Sequence, residues 1–239
     1  LLQRYGLWGK TVVEIGCGKG TFLARMAELG DVTGIGIDPT AVPERLTGKA
    51  AKRVRFVNEF YGPQHADIAA DLVVCRHTLE HIPDVGAFLR TVREIVAPRG
   101  VPVFFELPET LRVLRDVAYW DMYFEHCSYF TPGSLARAFE GAGYSVSDVR
   151  LGFDDQYLML EAAPEAGKRP YSTQLDGPAD VAHAVRSFRN GIGEKRRAWR
   201  SYFDEAVRSG KRVALWGSGS KCVAFMTTLG LDTEIACVT

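Results

Sequence analysis

The feature that most restricts the fold of this chain is a regular alternation of short β-branched runs with segments of helical character. The segments between the runs have apolar residues every three or four positions, as over 84–97, which is typical of helices. Because parallel strands need a crossover connection, usually a helix, the alternation predicts a parallel sheet covered by helices. Five strand runs are present: TVVEIG (11–16), VTGIGID (32–38), VRFVN (54–58), DLVVC (71–75) and VPVFFEL (101–107).

The region after the fifth run predicts that a hairpin completes the sheet. An aromatic-rich insertion (108–130) comes first, and Thr131-Pro132 then indicates a helix start, since proline suits the first helical position. Two further runs, YSVSDVR (144–150) and QYLMLEA (156–162), are predicted to pair as strands six and seven. The predicted fold class for residues 1–163 is therefore α/β, with a Rossmann-like seven-stranded sheet.

Two further segments are predicted beyond residue 163. Residues 164–210 comprise a linker rich in proline and glycine (164–180, including Gly167) and a helical stretch (179–209) that we expect to be interrupted at Gly191 and Gly193. Residues 211–239 have the order strand, GSGSK turn, helix, strand, which predicts the incomplete start of a second Rossmann-like domain. Because a lone unit of this kind cannot bury both its faces, we expect a longer protein.

Composition excludes several classes of function. Lys plus Arg and Asp plus Glu number 29 each, so no charge excess suggests nucleic acid or an anionic membrane as a partner. The apolar runs are too short to span a bilayer. The five cysteines are scattered without a CxxC pair, which favours a reducing cytoplasm and predicts neither a disulfide framework nor a metal site built on thiols; no metal is predicted.

A glycine-rich loop, Glu14-Ile15-Gly16-Cys17-Gly18-Lys19-Gly20, connects the first strand to the first helix. Glycines there let the backbone approach a ligand. The dinucleotide fingerprint is incomplete, because Thr21 occupies its last glycine or alanine position. Glu14 suits the cationic methionine part of S-adenosylmethionine better than a pyrophosphate, and Asp38, at the end of strand two, can accept both ribose hydroxyls. The alternative is an ordinary tight turn, with Asp38 as a helix cap.

The sequence resembles the class I S-adenosylmethionine-dependent methyltransferases. EIGCGKG, GID, VVCRHTLEHIPD and FFELPE are similar to successive motifs of that family and cover about residues 10–162. The resemblance implies S-adenosyl-L-methionine as the cofactor, held by the glycine loop. It also implies that Arg76 and His77, at the exit of strand four, lie against the cofactor; otherwise these two are surface or capping residues.

The insertion after strand five contains Tyr123-Phe124-Glu125-His126-Cys127-Ser128-Tyr129-Phe130. It follows a strand end, where a Rossmann-like sheet places its ligands. A histidine can take a proton near neutral pH, so His126 is a candidate general base that Glu125 or a phenol could orient. His77 and His81 could approach the same cleft. The alternatives are core packing for the aromatic residues and a helix-capping role for His81.

Here the chain resembles the sugar C-methyltransferases that act on nucleotide-linked 4-keto deoxysugars. Their Tyr-x-Glu-His motif matches Tyr123, Glu125 and His126, and a histidine of their strand-four motif matches His81. The resemblance implies that a histidine removes the proton next to the ketone, with Tyr123 or His81 donating to the enolate oxygen. It also implies that VALWGSGSK begins the domain that helps to hold the nucleotide sugar. The GSGSK turn at a helix start could cradle a diphosphate.

Two features depart from that family. Its members usually begin with a cysteine-rich zinc domain, which this sequence does not contain, and the second domain is incomplete. The open alternatives are an oxygen or nitrogen methyltransferase of another small metabolite, and a nucleotide-binding module without catalysis.

Overall fold

The first part of the chain forms one seven-stranded sheet, as the sequence predicts. The computed structural model describes residues 1–165 and 170–239, so Gly167 of the predicted linker lies outside the described residues. The sheet has the order β3-β2-β1-β4-β5-β7-β6. Its strands are β1 (Thr11–Ile15), β2 (Thr33–Ile37), β3 (Val54–Val57), β4 (Leu72–Arg76), β5 (Val103–Pro108), β6 (Ser145–Gly152) and β7 (Tyr157–Ala163).

Strands β1 to β5 are parallel, and β7 is antiparallel to both β5 and β6. The strand order reverses at β1, which pairs with β2 on one side and with β4 on the other. Ligands of open α/β sheets bind at such a switch point, beyond the carboxyl ends of the strands. The fold therefore brings the residues that follow β1, β2, β4 and β5 to one edge.

Both faces of the sheet are covered by apolar side chains, as a parallel sheet requires. Successive residues of β4 show this, because Val73 packs into one buried cluster with Phe105, and Val74 packs into another with Leu23. The helices are α1 (Leu2–Tyr5), α2 (Thr21–Gly30), α3 (Val85–Val96), α4 (Thr110–Arg115), α5 (Pro132–Gly141), α6 (Pro178–Arg208) and α7 (Ser220–Leu229).

Helices α3, α4 and α5 begin at capping side chains. Asp84 accepts a hydrogen bond from the main-chain nitrogen of Ala87 at the start of α3. Thr131 and Ser134 cap each other at the start of α5, with Pro132 in the first turn. Helix α4 was not expected inside the aromatic insertion; Glu109 begins it by accepting hydrogen bonds from the first-turn main-chain nitrogens.

The interruption expected at Gly191 and Gly193 is wrong, because α6 is continuous from Pro178 to Arg208. Each glycine costs about 1 kcal/mol of helix propensity, and tertiary packing offsets this cost. Helix α6 packs against α4, and a β-carbon at Gly191 would lie 3.2 Å from the side chain of Val117. No helix in the described ranges is both long and apolar enough to cross a membrane.

The last residues form a small β-α-β unit. Strands β8 (Val213–Leu215) and β9 (Ile235–Val238) pair in parallel, and α7 connects them. A buried apolar cluster joins this unit to α6 and to the aromatic insertion; its members are Tyr119, Phe203, Leu229 and Leu231. Helix α7 thus lies against the insertion that carries the predicted general base.

Candidate active site

The glycine loop after β1 has a backbone that side chains would obstruct. Gly16, Gly18 and Gly20 all have positive φ angles, of 70°, 51° and 70°. A β-carbon at Gly16 would lie 2.0 Å from the Oγ1 atom of Thr78. Glycine is therefore required at Gly16 by both conformation and space.

The carboxylate of Asp38 ties this loop to the end of β2. Its Oδ2 atom accepts a hydrogen bond of 2.9 Å from the main-chain nitrogen of Gly18, and Oδ1 accepts bonds from the nitrogen and hydroxyl of Thr40. A carboxylate has about four acceptor positions, so capacity remains for a ligand. Asp38 thus closes a turn at Thr40 but caps no helix, because the next helical turn begins at Pro43.

Glu14 is buried without full compensation. Its side chain is 3% exposed, its Oε2 atom has no hydrogen-bond partner among the described residues, and its Oε1 atom lies 3.7 Å from Nη1 of Arg76. Burial raises the pKa of Glu14 to about 8, although Arg76 opposes the shift. Because an unpartnered buried carboxylate is costly, a cationic group such as the amino group of S-adenosylmethionine fits this position.

Cys17 presents its backbone and not its side chain to the loop. The thiol is buried in the core and would lie 2.4 Å from a β-carbon at Gly36. Burial also raises the pKa of the thiol to about 12, which leaves it unreactive. The cofactor contact predicted for Cys17 therefore falls to its main chain.

Arg76 and His77 share one carboxylate, that of Glu106 on β5. Arg76 donates two hydrogen bonds to Oε1 of Glu106, of 2.8 and 3.1 Å, and Nε2 of His77 lies 3.2 Å from the same oxygen. The guanidinium of Arg76 also stacks on the ring of Phe22, 4.6 Å from its centroid. Sequence reasoning missed Glu106, although a lone acid in an otherwise apolar strand is a usable signal.

His77 has an unusual backbone and charge. Its φ angle is 48°, a conformation that costs a residue with a β-carbon about 1–2 kcal/mol. Although burial lowers it, the nearby carboxylates of Glu106 and Glu80 raise the pKa of His77 to about 9. His77 is therefore an imidazolium at neutral pH and is poorly suited to act as a base.

The structure brings His126 together with the other predicted acceptor-side residues. Its ring centroid lies 4.9 Å from that of His81, 4.6 Å from that of Tyr123 and 5.8 Å from that of Tyr129. Burial lowers the pKa of His126 below its ordinary value. His126 is therefore neutral at physiological pH and can accept a proton.

The two neighbours of His126 in the predicted motif have other immediate partners. Glu125 is exposed, and it is its main-chain carbonyl that lies 3.0 Å from Nδ1 of His81. Tyr123 donates its hydroxyl proton to Asp121 over 3.1 Å, and Asp121 pairs with Lys221 of α7 over 2.7 Å. The side chain of Glu125 makes no hydrogen bond to His126 within the described residues, so its orienting role toward His126 stays a prediction, and its backbone contacts His81 instead.

Two large cavities adjoin Tyr123, besides a small one of about 140 Å³ that Tyr123 and His77 both line. One, of about 600 Å³, is lined mainly by aromatic residues and by the turn before α7. The other, of about 520 Å³, lies between residues 122–125 and the first half of α7. The larger cavity is lined by Trp120, Tyr123, Trp199, Trp216, Lys221 and Phe225, among others.

Comparison with known proteins identifies the family of this chain. The protein family described as "Methyltransferase domain" matches residues 2–149. C-methyltransferase NovU from Streptomyces niveus is 30% identical to this chain, over 98% of the chain and 58% of that relative. The chain thus spans less than two thirds of NovU. A ubiquinone biosynthesis O-methyltransferase from Aeromonas salmonicida is also 30% identical, over 60% of the chain and 66% of the relative.

Solved structures share the fold. The 1,6-didemethyltoxoflavin-N1-methyltransferase of Burkholderia thailandensis, with bound S-adenosylhomocysteine, has a TM-score of 0.52 at 19% identity, covering 69% of this chain and 75% of its own. A variant 16S rRNA (adenine(1408)-N(1))-methyltransferase from Catenulisporales acidiphilia has a TM-score of 0.50 at 19% identity, with coverages of 70% and 90%. The chain belongs to the methyltransferase domain family and has the class I, Rossmann-like fold of S-adenosylmethionine-dependent methyltransferases.

Proposed function

We propose that this enzyme methylates a carbon atom of a nucleotide-linked keto-deoxysugar and that His126 is the base. The observation that carries the proposal is the position of His126, within 5 Å (ring centroids) of both His81 and Tyr123, in the insertion after β5. A base surrounded by hydrogen-bonding side chains is more than the methylation of an amine requires. Carbon methylation requires it, because a carbon next to a ketone is a weak acid.

The proposed reaction follows from these groups. S-adenosylmethionine, when bound, supplies an electrophilic methyl group. His126 takes the proton from the carbon next to the ketone, and the electron pair of that bond forms an enolate. Tyr123 donates to the enolate oxygen, exchanging its hydrogen bond to Asp121 for one to the acceptor. His81, the other predicted donor, would first have to release its Nδ1 proton from the carbonyl of Glu125. The enolate carbon then forms the new bond to the methyl group as the bond from methyl to sulfur breaks.

The cofactor is proposed to bind at the switch point. Glu14 would hold the amino group of its methionine part, and Asp38 its ribose hydroxyls. Gly16, Cys17 and Gly18 would contribute backbone, with Arg76 and His77 as neighbours. The orphaned Oε2 atom of Glu14 supports this assignment, because a cation there would satisfy it.

The acceptor is proposed to lie in the cavities beside Tyr123. Aromatic rings, including Trp120 and Trp216, suit the base of a nucleotide, and Lys221 with the Gly217–Lys221 turn suits a diphosphate. Residues 1–163 would then carry out methyl transfer, while 211–239, beyond the segment 164–210, would help to hold the nucleotide sugar. The balanced charge of the chain favours a small molecule over nucleic acid.

The two relatives support this division differently. The similarity to the C-methyltransferase extends over 98% of the chain, including the acceptor side, whereas the similarity to the O-methyltransferase covers 60%. The longer match to the C-methyltransferase therefore supports methylation at carbon.

Hydrogen exchange tests the proposal. With S-adenosylhomocysteine bound and no methyl donor, a nucleotide-linked 4-keto deoxysugar in deuterated water should exchange the hydrogen next to its ketone. His126→Ala should abolish the exchange, and His183→Ala, an exposed histidine on α6, should not. A product that carries its new methyl group on oxygen or nitrogen would overturn the proposal, whatever the exchange result.

A further inference from the structure

Three side chains that can bind a metal ion meet where the segment after β4 contacts the acceptor-side insertion. Glu80, His81 and His126 each offer one ligand atom, and these atoms lie within 4.8 Å of one another. The sequence predicts no metal, because its thiols lack ligand spacing. These ligands are of another kind, and only the fold brings together residues that are 45 positions apart.

Glu80 points to a ligand by itself. It is 2% exposed, and its Oε2 atom has no hydrogen-bond partner within the described part of the chain. Its other oxygen, Oε1, lies 3.7 Å from Nδ1 of His77, too far for a good hydrogen bond. A buried carboxylate oxygen without a partner is costly, and a cation would satisfy it.

His81 is already oriented as metal-binding histidines are. Its Nδ1 atom lies 3.0 Å from the main-chain carbonyl of Glu125, which can only accept, so Nδ1 carries the proton. Nε2 then keeps its lone pair free for a ligand. Metal-binding histidines almost always donate their second ring N–H to a carbonyl or carboxylate in this way.

The two segments are also joined by main-chain hydrogen bonds. The nitrogens of Cys127 and Ser128 both donate to the carbonyl oxygen of Glu80, over 2.8 and 3.2 Å. His126 is therefore held beside Glu80 by its own neighbours in sequence. Because this link already restricts the two segments, their side chains lose less conformational entropy when an ion binds.

We propose that Glu80, His81 and His126 form a binding site for a divalent transition-metal ion of the zinc type, and that the bound ion inhibits methyl transfer. Two imidazoles and one carboxylate are a known zinc ligand set, with the fourth position left open. Magnesium and calcium prefer all-oxygen sites. Ligand atoms of a tetrahedral zinc ion lie about 3.4 Å apart, given bonds of about 2.0–2.1 Å. The three ligand atoms here lie within 4.8 Å of one another, so movements of about 1 Å by the side chains would complete the site.

Inhibition follows from the lone pair that His126 would share. An imidazole nitrogen bound to a metal ion cannot also accept a proton. The binding part of the proposal is independent of the reaction, whereas the inhibition rests on the proposed function. Direct binding and turnover are therefore measured separately.

Cobalt(II) titration of the purified chain tests binding, because a tetrahedral cobalt ion absorbs visible light. We expect one cobalt site. The affinity for cobalt should fall about 100-fold or more in His81→Ala, His126→Ala and Glu80→Gln. Loss of a residue that only hydrogen-bonds to a metal ligand lowers metal affinity by about 10–100-fold, so loss of a ligand itself should have at least the larger effect. His126→Asn and Glu80→Asp replace any variant that fails to fold by circular dichroism. His183→Ala and Cys127→Ser should bind as the unchanged chain does.

Each outcome decides a part of the proposal. Absence of cobalt binding, or binding unaffected by the three ligand substitutions, overturns the site. Weakening by Cys127→Ser as large as by His126→Ala overturns the ligand set. With binding shown, zinc should abolish turnover and a chelator should restore it. If zinc binds and turnover persists, the site stands and the base role of His126 fails.

Discussion

The carboxylate of Asp38 accepts a hydrogen bond of 2.9 Å from the main-chain nitrogen of Gly18, and so joins the end of β2 to the glycine loop after β1. Each of the two residues is predicted to contact the cofactor. A substitution at Asp38 would thus remove a ligand contact and also release the loop that makes the others.

Asp38→Ala should weaken S-adenosylmethionine binding by about 1–3 kcal/mol, the size expected for lost charge-assisted hydrogen bonds. Isothermal titration calorimetry measures this directly. Asp67→Ala, which removes an exposed carboxylate, is the matched control. Unchanged affinity in Asp38→Ala would remove this residue from the cofactor site.

Gly16→Ala should destabilise the chain more than Gly18→Ala. Both positions have positive φ, so a β-carbon at either position should lower the free energy of unfolding by about 1–2 kcal/mol. Only Gly16 also meets an obstacle, since its β-carbon would lie 2.0 Å from Thr78, whereas Gly18 has no atom of the described residues within 4 Å. Urea unfolding without cofactor compares the two; equal losses would show that Thr78 yields at little cost.

Glu14→Gln should change how stability depends on pH. The folded-state pKa of Glu14, about 8, exceeds its unfolded value of 4.5, so its stabilising contribution is complete below about pH 4.5 and is lost as the pH rises through about 8. The raised pKa of His77 acts only above pH 6.5. Between pH 4.5 and 6.5 the shifted pKa values of His126 and Glu109 also contribute, but both chains share them, so the difference between the unchanged chain and the variant reports Glu14.

Urea unfolding of the unchanged chain and of Glu14→Gln, at half-unit intervals over that window, measures the difference. The unchanged chain should lose stability relative to the variant as the pH rises. Glu28→Gln, which changes an exposed glutamate, should follow the unchanged chain. Parallel curves for the unchanged chain and Glu14→Gln would show that Glu14 ionises normally.

His126→Ala should leave folding and cofactor affinity nearly intact and lower turnover by about 10²–10⁴-fold, the usual effect of losing a general base. Turnover with the carbon acceptor, together with calorimetry of cofactor binding, provides the measurement, and His183→Ala is the control. Normal turnover would exclude His126 as the base, and an unfolded variant would make it a packing residue.

The seven-stranded sheet could be predicted from the sequence because its signals are local. Strand runs such as DLVVC and the positive-φ glycines of the loop need only their immediate neighbours to be recognised. The approach of His81 to His126 could also be anticipated, because both follow strands whose carboxyl ends meet at one edge.

Other features depend on packing that no local pattern records. Helix α6 continues through Gly191 and Gly193 because contacts with the first part of the chain offset their low helix propensity. Glu106 serves Arg76 and His77 only because β4 and β5 are neighbours.

The sequence by itself determined the succession of strands and helices, the position of the glycine loop and the cofactor expected to fit it, since apolar periodicity and glycine positions are local features of the sequence. Only the tertiary structure decided the charge states of the site residues. Glu14 and Glu80 are each buried with an oxygen that has no partner among the described residues. His77 is an imidazolium at neutral pH. The reason is that the free energy of a charged group depends on burial and on neighbours distant in sequence.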